Sequence, residues 1–256
     1  MGAAPGRLPS AWRLVASPGP EPPARITPAP MIDIQANLTR VRERIARAAE
    51  RAGRRAEDVL LVGVSKTVDV GRIRQAIEAG VPALGENWVQ EARGKIAELG
   101  HPVPWHLVGH LQTNKVRDAL ALFDVIQSLD RLDLAKELDK RAGARGRVVE
   151  ALVEVNVGGE ASKGGVAPDG LGALLEAIAA LPHVKPRGLM AIPPEGKEPD
   201  DSRVWFRALR KLGEQHGLPE LSMGMSGDFE VAIEEGATVV RVGTAIFGPR
   251  PPRGGV

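Results

Sequence analysis

Lysine is scarce in this chain, nine residues against 25 arginines, and one of the nine stands where an amine matters. Lys66 closes the run Leu60-Leu61-Val62-Gly63-Val64-Ser65, so its stem follows apolar chain and its amine emerges at the end. Burial there would disfavour the ammonium and lower its pKa. A neutral amine attacks a carbonyl carbon to form a Schiff base, which arginine cannot do. A plainer role fits the same residue: a strand-end lysine with its stem on apolar surface and its charge in water. A second group lies near the other end of the chain. Met225-Ser226-Gly227-Asp228 runs into a helical pattern, and Gly243-Thr244 follows a short apolar run. Ser226 and Thr244 offer hydroxyl donors, and Gly227 and Gly243 allow close backbone approach, a combination that suits phosphate. Two ordinary glycine turns and a serine N-cap would read the same way. Arg241 stands two residues before Gly243, on the same face if the run is a strand.

What brings these groups together is the organisation of the chain. From Met31, Ile34, Leu38, Val41, Ile45 and Ala48 recur every three to four residues and mark an opening helix. After Gly53, eight apolar or β-branched runs follow, at 59–65, 81–85, 105–108, 125–128, 149–157, 186–192, 221–225 and 238–243. Helical patterns lie between them, such as 72–79, 132–142, 171–180, 203–216 and 229–235. Several of these end at a glycine suited to a left-handed C-cap, among them Gly80, Gly100, Gly143, Gly217 and Gly236. Strict alternation of strand and helix predicts parallel strands with crossover helices. Eight such units predict a closed (β/α)8 TIM-type barrel with an extra N-terminal helix, an open doubly wound sheet being the alternative.

In such a barrel, functional residues sit at the C-terminal strand ends. Those positions hold Ser65-Lys66-Thr67, Glu86-Asn87, Gly109-His110, Asn156, Met190-Ala191-Ile192 and the two C-terminal loops. Loops after strands seven and eight commonly hold phosphate. An imine-forming lysine and a phosphate cup at one mouth suggest a phosphorylated aldehyde, and pyridoxal 5′-phosphate (PLP) is the obvious one. Arg241 would then reach the pyridine nitrogen, unless it pairs with a strand carboxylate inside the barrel.

Composition narrows the rest. The absence of cysteine excludes disulfides, thiolate metal sites and cysteine catalysis. The five histidines show no metal-ligand spacing, and Gly158–Gly165 is not a Walker loop. The net charge of +2 comes entirely from residues 1–30, which carry three Arg and one Glu; the rest is balanced, leaving no footprint for nucleic acid. No apolar run approaches the roughly 18–20 residues that span a bilayer. Residues 1–30 include eight prolines and read as a disordered Ala/Pro-rich tail rather than an amphipathic transit peptide. The expected layout is a tail over 1–30, a barrel over 31–250 and a flexible end over 251–256, in a cytoplasmic protein.

The chain resembles the pyridoxal phosphate homeostasis proteins, single-domain relatives of the barrel domain of bacterial alanine racemase. The stretches that carry this are LVGVSKT (61–67), GENWVQE (85–91), WHLVGHLQTNK (105–115), SKGG (162–165), GLMAI (188–192), LSMGMSGDFEVAIEEGATVVRVG (221–243) and TAIFG (244–248). The resemblance implies a PLP-binding barrel with Lys66 as the Schiff-base lysine. It implies that Ser226, Gly243 and Thr244 hold the phosphate, that Arg241 faces the pyridine nitrogen, and that Asn87 and Met223 line the pocket. Trp88 stands where the family usually has Tyr, and Gly227 where Asp, Asn or Ser is usual.

Two functions fit such a barrel: a regulator that holds or delivers PLP without turnover, and a PLP-dependent amino-acid racemase. A metal-free sugar-phosphate isomerase is a third class. Racemases of the related fold use a Tyr base from a second domain; this chain has no Tyr and ends at Val256. An arginine against the pyridine nitrogen has no proton to give, which leaves the ring a weaker electron sink. The expectation is therefore the regulator, as a monomer or weak dimer whose partners are PLP and PLP-requiring apo-enzymes.

Overall fold

Eight parallel strands close on themselves in sequence order in a computed structural model that describes residues 1–2, 32–160 and 162–249. The strands are β1 (Leu60–Val64), β2 (Ala83–Glu86), β3 (Trp105–Leu107), β4 (Val125–Leu129), β5 (Val149–Glu154), β6 (Val184–Met190), β7 (Glu220–Ser222) and β8 (Val239–Val242). Closure is made by β1 and β8, with Leu60 opposite Val239 and Val62 opposite Arg241. That pairing rules out the open sheet. The expectations for residues 3–30 and 251–256 fall outside the described residues.

Around the strands run α1 (Ile34–Arg51), α2 (Val70–Glu78), α3 (Val89–Leu99), α4 (Val116–Leu122), α5 (Leu132–Gly143), α6 (Leu171–Ala179), α7 (Arg203–His216), α8 (Phe229–Glu234) and α9 (Thr244–Phe247). The opening helix buries the stripe read from its periodicity, Ile34, Leu38, Val41, Ile45 and Ala48. It begins at Ile34 rather than Met31 because Asp33 caps it, accepting from the Ala36 N–H at 2.9 Å. It packs on α8 and α9, and the Arg44 guanidinium lies 4.5 Å over the Phe229 ring.

One apolar core lies between helices and sheet, with Trp105, Phe206 and Phe229 fully buried in it. A second, small cluster of Val62, Ala83 and Val239 stands apart from it. Buried polar side chains, His106, Gln127, Ser222 and Arg241, are joined to one another by hydrogen bonds. Glycine is required where strands or loops meet closely. A Cβ at Gly188 would stand 1.9 Å from the Glu220 carbonyl oxygen, and one at Gly109 2.4 Å from that of Asn87. The fifth strand ends at Glu154, short of the expected 157, because the chain folds back. Val166 N–H donates to the Glu154 carbonyl and Asn156 N–H to that of Val166, at 2.8 and 2.9 Å.

Candidate functional site at the C-terminal mouth of the barrel

The C-terminal ends of β1, β2, β3, β6, β7 and β8 surround a cavity of about 240 Å³. Val64, Lys66, Asn87, Val108, Ile192, Met225, Ser226, Gly227, Arg241, Gly243 and Thr244 line it. Two cations and several hydroxyl and backbone donors face this space, and among the described residues no carboxylate does. Such a lining favours an anionic ligand.

Six of the seven residues expected at the site line this cavity. Met223 does not: it is fully buried in the apolar core. The methionine at the cavity wall is Met225. The regular strand stops at Ser222, and Gly224 takes a positive φ of 89°, so the strand alternation does not carry through to residue 225.

The two C-terminal loops are stitched together by one hydroxyl. Ser226 Oγ accepts from the N–H groups of Gly243 and Ala245, both at 3.3 Å, drawing the turns after β7 and β8 to one point. Asp228 braces the first turn, its carboxylate accepting from Met225 N–H at 2.7 Å and from Ser202 Oγ at 2.9 Å. A Cβ at Gly227 would meet nothing within 4 Å, so open space surrounds this glycine.

Lys66 is set by its neighbours in sequence, and sequence reasoning missed the group that holds them. Buried Lys95, on α3, donates through Nζ to Ser65 O, Glu86 Oε1 and Glu91 Oε1 at 2.6, 2.7 and 2.6 Å. Ser65 Oγ donates to Glu86 Oε1 at 2.6 Å, and Thr67 N–H donates to Glu91 Oε1 at 2.6 Å. Both residues flanking Lys66 are thereby tied down. Thr67 is the one non-glycine among the described residues with positive φ, 63°, a conformation that costs a β-branched side chain energy and that surrounding contacts must impose. Burial raises the Glu86 carboxyl above its usual range, against the pull of Lys95. The i, i+4 pair Glu91–Lys95 was visible in the sequence, but that spacing ordinarily marks a solvated helix face.

Arg241 is buried, and burial lowers its pKa to about 10, so it stays cationic near neutrality. Its Nη1 donates to Ser222 Oγ at 2.6 Å and its Nη2 to Ala191 O at 2.9 Å. These are neutral partners, not the strand carboxylate that was the alternative. Glu154 and Asp228 act on it at longer range. Burial, joined by nearby Asp130, raises the Glu154 carboxyl to about 7 against the opposing pull of Arg241. His110 lies outside the cavity, its Nδ1 3.5 Å from Asp130. Among the described residues no cluster of three or more His, Asp or Glu side chains forms a metal-binding group, and no helix is long and apolar enough to cross a membrane.

This geometry defines a (β/α)8 barrel with an amine, a guanidinium and a hydroxyl-bearing turn at one mouth. Residues 36–251 match the family described as alanine racemase, N-terminal domain, and the chain belongs to that family. Within it, the chain is a member of the pyridoxal phosphate homeostasis proteins. It is 50% identical over 220 residues to the pyridoxal phosphate homeostasis protein of Aquifex aeolicus (strain VF5), covering 83% of this chain and 96% of that one. To the protein of the same name from Escherichia coli (strain K12) it is 42% identical over 229 residues, 86% of this chain and 98% of that one. Among solved structures it is similar to PipY of Synechococcus elongatus PCC7942 with PLP bound. The TM-score is 0.74 at 38% identity, covering 84% of this chain and 100% of that one. Alanine racemase of Clostridium difficile 630 matches with a TM-score of 0.65 at 15% identity, over 86% of this chain and 57% of that one, which is a likeness of fold.

Proposed function

We propose that this protein binds pyridoxal 5′-phosphate at the barrel mouth and serves PLP homeostasis, holding the cofactor on Lys66 and releasing it to PLP-requiring apo-enzymes. The observation that carries the reading is the shared cavity. Lys66, Arg241 and the Ser226–Gly243–Thr244 donors line one space of about 240 Å³ with no carboxylate among its described lining residues. That is somewhat below the roughly 300–1,000 Å³ of common ligand sites, which suits a small phosphorylated ring.

When bound, PLP supplies an aldehyde that condenses with a primary amine and a phosphate that anchors the ring. The chain's own residues divide the work. Lys66 presents the amine; the clamp on Ser65 and Thr67 fixes where it emerges. The Ser226 and Thr244 hydroxyls supply the phosphate donors, on turns that Gly243 lets approach closely. Arg241 presents a permanent donor to the ring nitrogen, and Asn87 and Met225 wall the cavity. The barrel over 31–250 carries this function, with 1–30 and 251–256 as tails it does not need. We further propose a cytoplasmic location, where free cofactor meets newly made apo-enzymes, and a monomer or weak dimer.

No amino-acid turnover is part of this reading. Racemisation needs a proton removed on one face and returned on the other, hence two positioned bases. The sequence holds no Tyr, and His110 is turned to Asp130. The test is the absorption spectrum of the purified protein with PLP, before and after borohydride, with the modified lysine mapped. A near-visible band lost in Lys66→Ala supports the reading; a band retained in that variant, with another lysine reduced, sinks the site assignment. Incubation of wild-type protein with PLP and L-alanine in deuterium oxide should give no α-deuterated D-isomer above the free-cofactor control. Its formation at ordinary catalytic rates would make the protein a racemase.

A further inference from the structure

Parallel barrels usually fill their interior with branched aliphatic side chains, so a polar chain through this one calls for an explanation. From Arg241 on β8, a line of hydrogen bonds runs to Ser222 on β7, crosses to Gln127 on β4 and ends at His106 on β3. Ser222 Oγ donates to Gln127 Oε1 at 2.6 Å, and Gln127 Nε2 stands 2.7 Å from His106 Nδ1. Strands β4 and β7 are not neighbours in the barrel order, so the Ser222–Gln127 bond bridges its interior. All four side chains are at most 5% exposed.

The chain can run in only one direction. A guanidinium donates and cannot accept, so Ser222 Oγ must accept from Arg241 and give its own proton to Gln127 Oε1. That fixes the Gln127 amide, whose Nε2 then donates to His106 Nδ1. Nδ1 must be unprotonated, leaving the ring neutral with its hydrogen on Nε2. Burial agrees, lowering His106 to about 4. Flipping the amide would bring NH₂ toward a hydroxyl already accepting from Arg241 and strip that hydroxyl of its acceptor. A buried donor left unmade costs roughly 1–3 kcal/mol, so the order is strongly held.

We propose that Ser222, Gln127 and His106 are positioning residues for Arg241. They hold the guanidinium at the cavity through neutral hydrogen bonds, so its orientation is set while its charge stays uncompensated by a contacting carboxylate. An ion-pair partner would hold the arginine as firmly but cancel the attraction offered to an anionic, nitrogen-bearing ring. The proposal rests on the reading that Arg241 faces the ring nitrogen of PLP. His106 and Gln127 also line a cavity of about 470 Å³ at the N-terminal ends of the strands, so the line runs from one end of the barrel towards the other.

The test uses the full chain and PLP as probe. Ser222→Ala and Gln127→Met each break one link, and Ser222→Thr keeps the hydroxyl. With folding checked by circular dichroism, both breaking variants should still be trapped by borohydride at Lys66. They should show a shifted near-visible band and about tenfold weaker PLP affinity, and Ser222→Thr should restore both. Folded variants with wild-type band and affinity would overturn the proposal alone. Wild-type protein that takes up no PLP at Lys66 would sink the functional reading and this proposal with it. Nitrogen-15 NMR of wild-type His106 decides the matter even if the variants do not fold. The neutral Nε2–H tautomer is expected from about pH 6 to about pH 8, well above the lowered His106 value of about 4. An Nδ1–H tautomer or an imidazolium in that range would overturn the chain's direction and the proposal.

Discussion

The two cations at the barrel mouth rest on different supports. Lys66 is placed through its backbone: the Lys95–Glu86–Glu91 clamp grips Ser65 O, Ser65 Oγ and Thr67 N–H on either side of it. Arg241 is placed through its own side chain, by Ser222 and the Ala191 carbonyl. The clamp is ionic, and the arginine support is neutral. The difference suits the roles proposed for the two groups. An amine offered to a carbonyl needs a fixed anchor for its stem. A guanidinium offered to a ring nitrogen needs a fixed plane and an uncancelled charge.

If this division is right, damage to the two walls should read out differently. The largest effect belongs to the lysine itself. Lys66→Ala should abolish covalent PLP attachment while leaving stability within about 1 kcal/mol of wild type, since the side chain is only half-buried at the cavity wall. Equal loss of stability and attachment, seen by urea unfolding, would merge the anchor with its clamp. Next comes the clamp. Lys95→Met leaves the fully buried Glu86 carboxylate without its cation, and breaking a buried pair in this way costs roughly 3–5 kcal/mol. The double variant Lys95→Met with Glu86→Gln should recover part of that loss in urea unfolding. No recovery would show that the charge pairing is not what stabilises this wall.

The Arg241 wall carries a pH signature. Glu154 is held at about 7, above its ordinary 4.5, so the folded state binds its proton more tightly than the unfolded state. Its contribution is therefore complete below about pH 4.5 and is lost as pH rises towards 7, where it levels off. At about 1.36 kcal/mol per pKa unit the loss is of the order of 3 kcal/mol. Glu154→Gln should be flatter than wild type in stability from about pH 5 to about pH 8, the window that spans the raised Glu154 value. Parallel curves for the two proteins would remove Glu154 from the electrostatics of this wall. The smallest effect is expected away from both walls. A chain beginning at Met31 should match the full chain in melting temperature and PLP affinity, because eight prolines in residues 1–30 oppose a packed helix or strand. A large drop on truncation would show that the N-terminal residues support the site.

Much of the fold was legible before any coordinates. All eight predicted runs coincide with barrel strands, with ends displaced by a few residues, because alternation of apolar runs and helical stripes is a local property of the chain. Lys66, the Ser226 and Gly243-Thr244 turns, and Arg241 were legible for a related reason: a strand end followed by a loop is marked by the sequence on both sides of it. The supports were not. Glu86 could be named as a strand-end residue, but nothing local shows that Lys95 lies buried beneath it. Gln127 and Ser222 are 95 residues apart, and no periodicity links them.

By itself, then, the sequence determined the parallel barrel and placed the lysine, the arginine and the glycine-bearing turns at its mouth, since each is written in short-range pattern and residue chemistry. Only the tertiary structure decided that Met225 rather than Met223 meets the cavity, because the positive φ at Gly224 lies where the strand has ended and the two-residue alternation no longer applies. It also decided which cation is tethered by charge and which by neutral bonds. That choice depends on which strands face each other across a closed barrel, and the closure of β1 against β8 is what brings distant residues within hydrogen-bonding reach.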